Sequence, residues 1–448
     1  MTHLVDQVEL GPITKPVSFE VVLPGSKSFS IRILLLAALA HGPSHLTGLL
    51  MGTDTQSALR VLKSLGVPTQ IGSVKGQEVV VVHGQGGRWS EPSDALHVGD
   101  SATLARMLTA ILIASPQDCE WVLDCEVGLS RRPNTSLFAA LRSAGGKVES
   151  LQAPECFPVR VAGGRYSSST LTVDASSSSQ YVSAALMGAV ASGRPTLVRV
   201  VNRKVPSGYI NMTIAALAQF GHAVMVTKEG DYMVRPDFHA SGRDIAVEPD
   251  VSAAAYVASL AALSAGTVRI LNYPTSTSQP DGGFLTVLMQ MGCEVSWRSG
   301  ALVIIGPMKL RGGFRIPMNE MADQALTLAV LAMFADRPIE ISDIGRVRGH
   351  ESDRLVALAT VLTNMGIDHT QVENGIRIVP GSPSPATVEP NRDHRVAMAF
   401  ALVGANAQGI QIQDPDCVEK SFPGFFEMLR VAGMTVSRNQ SYANEPVK

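Results

Sequence analysis

The sequence predicts an α/β protein built from six similar repeats, and three observations lead to this prediction. A short pattern that ends in glycine recurs six times along the 448 residues. Before each of these endings lies another apolar segment, whose first turn is polar. Strand-like stretches such as Glu78–Gly87 separate the helical segments. Helices and strands that alternate along a chain are typical of α/β folds.

The recurring ending reads KSLGV, RSAGG, AQFGH, MQMGC, TNMGI and RVAGM. Its glycines lie 67 to 79 residues apart and are Gly66, Gly145, Gly221, Gly292, Gly366 and Gly433. Apolar residues precede each glycine at helical spacing, and glycine just past the last turn is a favoured helix end. Because the period is longer than that of a solenoid, each repeat should be one large supersecondary unit.

The earlier helix of each repeat begins with polar residues, as in SKSFSIRILLLAAL, DSATLARMLTAIL, SSSSQYVSAALM, DVSAAAYVASLAAL, EMADQALTLAVLAM and DHRVAMAFALV. Ser and Asp are good N-caps. Each repeat should therefore have two helices with strands between them, in the order β-α-β-α-β. Several converging helix N-termini would form an anion site without a basic protein. The alternative is that these polar residues only cap their helices.

Composition indicates a globular protein whose anion sites are local. Hydrophobic residues make up 45%, charged residues 17%, and the formal net charge is −2. These values argue against a basic surface that binds nucleic acid. The longest apolar runs are too short to span a membrane, and the N-terminus resembles no signal peptide, so a cytoplasmic protein is expected. Five scattered cysteines without CxxC spacing predict neither a disulfide framework nor a zinc site.

Four clusters of charged and hydroxyl residues occur at predicted helix starts. They are Leu23–Arg32, Arg131–Pro133, Arg346–Leu355 and Asn391–Arg395, the last followed by Lys420. Lys27 is unusual, because a cation near a helix N-terminus is disfavoured unless an anion lies beside it. Taken singly, Lys27 could be a solvated surface residue, and the arginine clusters could be exposed ion pairs. Their position at helix starts in several repeats instead indicates one shared site.

The segments LPGSKS, RGHESDRL, NRDHRVAM and KSFPGFFEML resemble the signature segments of 5-enolpyruvylshikimate-3-phosphate (EPSP) synthases, and the match spans nearly the whole chain. The resemblance implies an α/β fold of two globular domains, each of three βαβαβ-type repeats in a six-fold inside-out α/β barrel. The implied domains are 1–24 with 246–448, and 25–245, with the active site in the cleft between them. It further implies a monomer that uses small-molecule substrates, without nucleic acid, membrane, cofactor or metal.

The resemblance also implies the reaction and its residues. Such a transferase moves the enolpyruvyl group of phosphoenolpyruvate to the 5-hydroxyl of shikimate 3-phosphate, in the shikimate pathway of aromatic amino acid biosynthesis. The implied shikimate 3-phosphate residues are Lys27, Ser28, Arg32, Ser178, Ser179, Gln180, Tyr209, Asp323 and His350. The implied phosphoenolpyruvate residues are Lys27, Asp100, Ala102, Arg132, Gln180, Arg354, Arg395 and Lys420. The implied catalytic residues are Lys27, Asp323 and Glu351.

These residue types suit that chemistry. Like unit charges about 4 Å apart repel by roughly 4 kcal/mol at an effective dielectric constant of about 20, so two phosphates and two carboxylates need several cations. A general base must take the hydroxyl proton, and Asp323 is our candidate. Glu351 and Lys27 are both candidates for moving the methyl proton, and the sequence does not rank them. Asp323 could also cap the helix that follows it, and the two roles are compatible.

Several residues depart from the family pattern, and three of them bear on activity or inhibition. Asp100 replaces the usual asparagine, and its charge is unfavourable near a phosphate unless Arg106 or Arg132 pairs with it. Ile31 replaces a residue that is usually polar. Ala102 stands where glyphosate-sensitive members have glycine, and its methyl group should crowd this inhibitor more than the smaller substrate. A glyphosate-tolerant enzyme is therefore expected.

Two other functions stay open from the sequence. The sister enzyme that uses UDP-N-acetylglucosamine typically has asparagine after its lysine and cysteine five residues before its loop arginine. This chain has Ser28 after Lys27 and Val127 five residues before Arg132. A paralogue that binds shikimate 3-phosphate without transfer is the second alternative, because of Asp100 and Ile31.

Overall fold

The computed structural model describes residues 3–164, 166–349 and 351–443. His350, one of the predicted substrate residues, lies outside the described residues. The chain divides into two compact units. The first unit comprises the residues up to Pro24 and those from Pro249 onwards, and the second unit is Gly25–Glu248. Each unit has its own core of buried apolar side chains.

The earlier helix of each repeat forms the centre of its unit. In the second unit these helices are Lys27–Leu39, Ala102–Ala114 and Ser179–Ala191. In the first unit they are Val251–Ser264, Ala325–Met333 and His394–Ala401. Most of their residues are apolar and buried, which is typical of helices surrounded by protein on all sides. Every residue of Ala325–Met333 is buried, for example.

The later helix of each repeat ends at the predicted glycine. These helices are Thr53–Ser64, Thr135–Ser143, Gly208–Gln219, Phe284–Gln290, Arg354–Asn364 and Phe425–Val431. All six glycines have positive φ, between 70° and 101°. Residues with a side chain rarely adopt this left-handed conformation, so glycine ends each helix at little cost. The predicted helix endings are confirmed.

Shorter helical segments join these elements. An additional α-helix is Val127–Ser130. The 3-10 turns are Pro280–Gly283, Ala322–Gln324, Gly345–Gly349, Leu402–Ala405 and Pro415–Lys420. Within the described residues, no helix combines the length and the apolar character that crossing a membrane requires.

The described strands form six four-stranded sheets, three in each unit. In the second unit, the strands of the first sheet are, in order across it, Asp244–Ala246, His41–Thr47, Gln77–Gln85 and Thr69–Val74. Those of the second sheet are Leu96–His97, Glu120–Asp124, Val159–Ala162 and Lys147–Ser150. Those of the third sheet are Thr170–Asp174, Thr196–Val201, Tyr232–Arg235 and Ala223–Val226. In the first unit, the strands of the first sheet are, in order across it, Glu294–Arg298, Ala301–Ile305, Thr267–Ile270 and Ser18–Val21. Those of the second sheet are Arg315–Pro317, Ile339–Ser342, Gly375–Ile378 and His369–Val372. Those of the third sheet are Ala386–Val388, Ile410–Gln413, His3–Gly11 and Thr435–Ala443.

Each sheet combines one parallel pair with antiparallel strands. In one repeat, Thr170 pairs in parallel with Leu197, while Ala223 pairs antiparallel with Arg235. In this repeat, the parallel pair is joined through a buried helix, as a parallel connection requires. The last two strands of the repeat form a hairpin, which adds a fourth strand to the predicted β-α-β-α-β pattern. The predicted α/β class and its repeated units are confirmed.

Three sheets include a strand from a distant part of the same unit. In one of them, His3–Gly11 pairs with Ile410–Gln413 and with Thr435–Ala443. In the second unit, Asp244–Ala246 pairs in parallel with His41–Thr47. In the first unit, Ser18–Val21 pairs in parallel with Thr267–Ile270. In each unit, this parallel pairing brings together the two chain segments through which the chain enters and leaves the unit.

Candidate active site

The first unit brings five of the predicted residues into one charged cluster. Each lies in or beside the first turn of a helix or in a 3-10 turn, where side chains are not committed to the buried helix faces. The five residues are Asp323, Glu351, Arg354, Arg395 and Lys420. We call them the charged cluster of the first unit.

Asp323 lies between two arginines. Its Oδ1 accepts a hydrogen bond from Arg354 Nη1 at 2.7 Å, and its Oδ2 is 2.8 Å from Arg395 Nη2. The N-cap position of the following helix belongs to Gln324, whose side chain makes no capping hydrogen bond. The carboxylate of Asp323 therefore points into the charged cluster rather than back to its own helix.

Arg354 is the most buried member of the cluster, with 2% of its side chain exposed. Its Nε and Nη2 donate to both oxygens of Asp393, at 2.8 and 3.1 Å. Nη2 also donates to Glu351 Oε2 at 3.1 Å. Burial by itself would lower the pKa of Arg354, but Asp393, Asp323 and Glu351 raise it above its ordinary value. The guanidinium thus stays charged inside the protein.

Glu351 lies between two cations. One carboxylate oxygen meets Arg354, and the other is 3.5 Å from Lys420 Nζ. Its side chain is 16% exposed, whereas that of Lys420 is 8% exposed. A carboxylate held this way can exchange a proton with a bound molecule and keep its orientation.

Two residues that the sequence analysis did not assign support the cluster. Asp393 is fully buried, caps its helix by accepting from Arg395 N at 3.0 Å, and accepts from Ser352 Oγ at 2.9 Å. Tyr256 accepts from Arg395 Nη1 at 3.4 Å, and burial raises its pKa to about 12. The sequence signal for Asp393 is its position directly before the helix that contains Arg395. No sequence signal marks Tyr256.

In the second unit, Arg32 holds other predicted residues in place. It is 1% exposed, and it donates to Ser28 O at 2.7 Å, Thr213 Oγ1 at 2.8 Å and Tyr209 O at 3.3 Å. Burial lowers the pKa of Arg32 to about 10, so it is still charged at neutral pH. Its guanidinium therefore links two helices within the fold, and it fixes the backbone that carries Ser28 and Tyr209.

Lys27 has an acidic neighbour that explains its unusual position. Its Nζ lies 4.0 Å from Asp54 Oδ2, and both side chains are largely buried. Asp54 is in the first turn of the next helix, Thr53–Ser64, and was not predicted to take part. This carboxylate offsets the unfavourable placement of a cation at a helix N-terminus.

Ser178, Ser179 and Gln180 form the start of a buried helix, as predicted. Ser178 Oγ caps the helix by accepting from Gln180 N at 3.3 Å. The side chain of Gln180 accepts from Arg106 Nη1 at 2.8 Å. Arg106 in turn lies over the ring of Tyr181, 5.1 Å from its centroid. Gln180 is thus oriented by a buried arginine.

Asp100 pairs with Arg132. The Asp100 Oδ2 to Arg132 Nη2 distance is 3.7 Å. Arg106 is committed to Gln180 and to Asn134 Oδ1, the latter at 2.8 Å. A Cβ atom on Gly128 would lie 2.9 Å from Asp100 Oδ1, so glycine makes room for this carboxylate. Arg132 therefore supplies the partner that the sequence analysis required for Asp100.

The remaining predicted residues and departures have simple surroundings. Ala102 is the first residue of its helix, which Ser101 caps by accepting from Leu104 N at 3.5 Å. Ile31 is fully buried in the core of the second unit. Throughout the described parts of the chain, no group of three or more His, Cys, Asp or Glu side chains is placed to hold a metal ion.

Comparisons with known proteins agree on one family. The family model described as EPSP synthase (3-phosphoshikimate 1-carboxyvinyltransferase) matches residues 12–429. The 3-phosphoshikimate 1-carboxyvinyltransferase 2 of Halalkalibacterium halodurans is 38% identical over 437 residues, covering 97% of this chain and 96% of that protein. The chloroplastic 3-phosphoshikimate 1-carboxyvinyltransferase of Arabidopsis thaliana is 34% identical, covering 94% and 84%. The solved EPSP synthase of Acinetobacter baumannii has a TM-score of 0.80 and 28% identity, covering 97% and 100%.

Proposed function

The chain belongs to the EPSP synthase family, and we propose that it transfers the enolpyruvyl group of phosphoenolpyruvate to the 5-hydroxyl of shikimate 3-phosphate. Its relatives in Halalkalibacterium halodurans and Arabidopsis thaliana carry the name of this reaction. The observation that carries the proposal is the charged cluster of the first unit, which combines three cations with two candidate acid/base carboxylates.

Phosphoenolpyruvate binding would use the three cations of this cluster. The substrate carries a phosphate and a carboxylate, and arginine side chains can bind both kinds of group with two hydrogen bonds. Asp323 and Glu351 make ion pairs with Arg354, Arg395 and Lys420 in the substrate-free protein. The cluster can therefore assemble before substrate arrives, and the incoming anion then competes with the two carboxylates for the same cations. We assign Arg132 of the second unit to the same substrate.

Shikimate 3-phosphate binding would centre on the second unit. The backbone N–H groups at the start of helix Ser179–Ala191, together with the Ser178 hydroxyl, suit a phosphate group. Arg32 fixes the backbone of Ser28 and Tyr209, so these residues can contact the ligand with little loss of conformational freedom. Lys27 adds a positive charge close to Ser28.

The reaction proceeds by addition and elimination. The methylene carbon of phosphoenolpyruvate takes up a proton while the 5-hydroxyl oxygen bonds to C2 and gives its own proton to a base, for which we propose Asp323. The tetrahedral adduct then loses phosphate as its C–O bond breaks. Removal of a methyl proton restores the double bond, and Glu351 and Lys27 remain the two candidates for moving that proton. We further propose that the protein acts on these small molecules as a cytoplasmic monomer.

The test is to incubate the protein with both substrates and to measure inorganic phosphate and the enol ether product. We expect both products only when both substrates are present. A parallel assay with UDP-N-acetylglucosamine in place of shikimate 3-phosphate should release no phosphate. Binding of shikimate 3-phosphate without phosphate release would contradict the proposal and favour the paralogue without transfer activity.

A further inference from the structure

A buried carboxyl group that the proposed reaction does not use lies beside Gln324. Asp281 is part of the turn Pro280–Gly283, and 2% of its surface is exposed. The turn leads directly into helix Phe284–Gln290. Asp281 belongs to the first unit, like the charged cluster, but it is not a member of that cluster.

One oxygen of Asp281 joins the starts of two buried helices. Its Oδ2 accepts a hydrogen bond from Gln324 Nε2 at 3.0 Å and another from the Ser252 hydroxyl. Ser252 is the second residue of helix Val251–Ser264. Gln324 directly follows Asp323 and precedes the helix that begins at Ala325.

The Gln324 amide is held at both ends. Its Nε2 binds Asp281, and its Oε1 accepts from Thr327 Oγ1 at 2.9 Å. Gln324 and Thr327 are fully buried. A rotation of the turn that carries Asp323 would therefore leave buried polar groups without partners, which is costly.

We infer that Asp281 is a positioning residue, which fixes Gln324 and thereby holds Asp323 in the orientation that places its two oxygens on Arg354 and Arg395. The inference rests on the proposed function, because it takes Asp323 as a reacting group. It predicts that replacing Asp281 lowers kcat, whereas replacing a residue that only stabilises the fold would leave kcat unchanged.

Burial and the neighbours of Asp281 act on its pKa in opposite directions. Burial raises the pKa of Asp281 and Asp323 adds to this effect, whereas Arg395 and the hydrogen bonds from Gln324 and Ser252 lower it. Within the described parts of the chain, Asp281 makes no ion pair, and its Oδ1 has no hydrogen-bond partner. Its positioning role therefore rests on the hydrogen bond to Gln324 and not on its charge.

Two substitutions separate positioning from stability. Asp281→Ala removes the nearer of two acceptors of Gln324 Nε2 and leaves Ser252 O at 3.4 Å. We expect kcat to fall about tenfold or more while the KM for phosphoenolpyruvate changes less than about threefold. Asp281→Asn is neutral and can still accept from Gln324, so it should keep kcat within about threefold of the wild type. Ser259→Ala is the matched control, because Ser259 is a buried hydroxyl of the same Val251–Ser264 helix that bonds only within it, to Ala255 O.

The result that overturns the inference is a folded Asp281→Ala protein with wild-type kcat, or a folded Asp281→Asn protein as impaired as Asp281→Ala. If Asp281→Ala does not fold, Gln324→Leu replaces it: a lower kcat supports the inference, and an unchanged kcat overturns it. Thermal unfolding of each variant establishes which proteins are folded at the assay temperature.

A wild-type protein that forms no enol ether product would refute the proposed function instead. The two failures are therefore distinguishable.

Discussion

Arg354 makes ion pairs with three carboxylates, and it donates to both oxygens of one of them. If one partner of such a buried set is removed, the remaining charges are buried without compensation. The resulting loss of stability is typically larger than the stabilisation that the ion pair itself provides. The effect of a substitution in the charged cluster should therefore depend on which carboxylate loses its cation. Arg395 contacts Asp323, the proposed base. Removing Arg395 therefore takes away a positive charge that would bind the substrate, and it also takes away an ion-pair partner of the base.

Arg395→Ala should mainly impair the use of phosphoenolpyruvate. Loss of one partner of a desolvated charge pair costs about 2 to 5 kcal/mol, so kcat/KM for this substrate should fall about 30-fold to several thousand-fold. Binding of shikimate 3-phosphate, measured by calorimetry, should change little, because its proposed phosphate contacts lie at the start of helix Ser179–Ala191. Steady-state kinetics at a saturating concentration of shikimate 3-phosphate measures the effect.

Arg377→Ala is the matched control for this experiment. Arg377 lies on strand Gly375–Ile378 of the same unit and is exposed. Its removal also lowers the positive charge by one, but it should leave kcat/KM unchanged. Loss of shikimate 3-phosphate binding in Arg395→Ala with normal phosphoenolpyruvate kinetics would show that our assignment of substrates is wrong.

Ala102→Gly should make the enzyme more sensitive to glyphosate. The methyl group of Ala102 stands at the first position of its helix, directly after the capping Ser101. A clash between this methyl group and the inhibitor costs about 1 to 3 kcal/mol, so the inhibition constant should fall about fivefold to 150-fold in the glycine variant. Inhibition curves at fixed substrate concentrations give the two constants, and the KM for phosphoenolpyruvate should be similar. Equal inhibition constants would contradict the role of Ala102.

Residue types could be predicted from the sequence, but their pairing could not. Lys27 and Arg395 stood out because cations are unusual at helix starts. Arg132 pairs with Asp100, while Arg106 is committed to Gln180 and Asn134. Such commitments arise from the packing of different repeats against one another, and no spacing along the chain encodes them.

At the scale of helices and strands, local signals explain why the repeats were predictable. The glycine that ends each later helix has a backbone conformation that other residues adopt rarely, so its position marks the helix end. Strands that join a sheet from a distant part of the chain carry no such signal. Strand Asp244–Ala246 is only three residues long, and it pairs with a strand about 200 residues earlier in the chain. Pairing between strands so far apart in the sequence depends on the fold of the whole unit.

His222, which follows one of these glycines, should make the stability of the second unit sensitive to acid. It is buried, and its Nδ1 accepts from Asp237 N at 3.1 Å. Burial lowers the pKa of His222 to about 4, and Asp237 opposes this effect. The unfolded chain binds the proton near pH 6.5, so the stabilising contribution of neutral His222 is present above that pH and is lost as the pH falls towards 4.

His222→Gln tests this pH dependence, since glutamine can accept from Asp237 N but does not titrate. Between pH 7 and pH 5, the free energy of unfolding of the wild type should fall by about 2 kcal/mol more than that of the variant. Urea unfolding followed by circular dichroism measures both. His239→Gln, at an exposed position of the same unit, should behave like the wild type. Parallel pH profiles for wild type and His222→Gln would refute the prediction.

At the scale of the whole molecule, the two units differ in how the chain builds them. All strands of the three sheets in the second unit come from the continuous segment 25–248. The first unit also needs strands His3–Gly11 and Ser18–Val21, which precede that segment. Each unit closes its own chain ends with a backbone hydrogen bond. Ser26 N donates to Glu248 O, and Asp250 N donates to Pro24 O, both at 2.9 Å.

Residues 25–248, produced alone, should therefore fold and unfold cooperatively. The segment contains a complete apolar core and every partner of its strands, and its two ends are already adjacent. Residues 249–448 alone should not fold, because two of their sheets would lack a strand and expose unpaired edges. Thermal unfolding followed by circular dichroism should show one sharp transition for the first fragment and none for the second.

A third chain provides the decisive control. Joining residues 1–24 to residues 249–448 through a short glycine-rich linker restores both missing strands, and the hydrogen bond between Asp250 and Pro24 shows that the joined ends are close. This chain should regain a cooperative transition. If residues 249–448 fold equally well without the first 24 residues, the two N-terminal strands are not needed for that core. If residues 25–248 stay unfolded, their core is insufficient by itself, and each unit depends on the other for its stability.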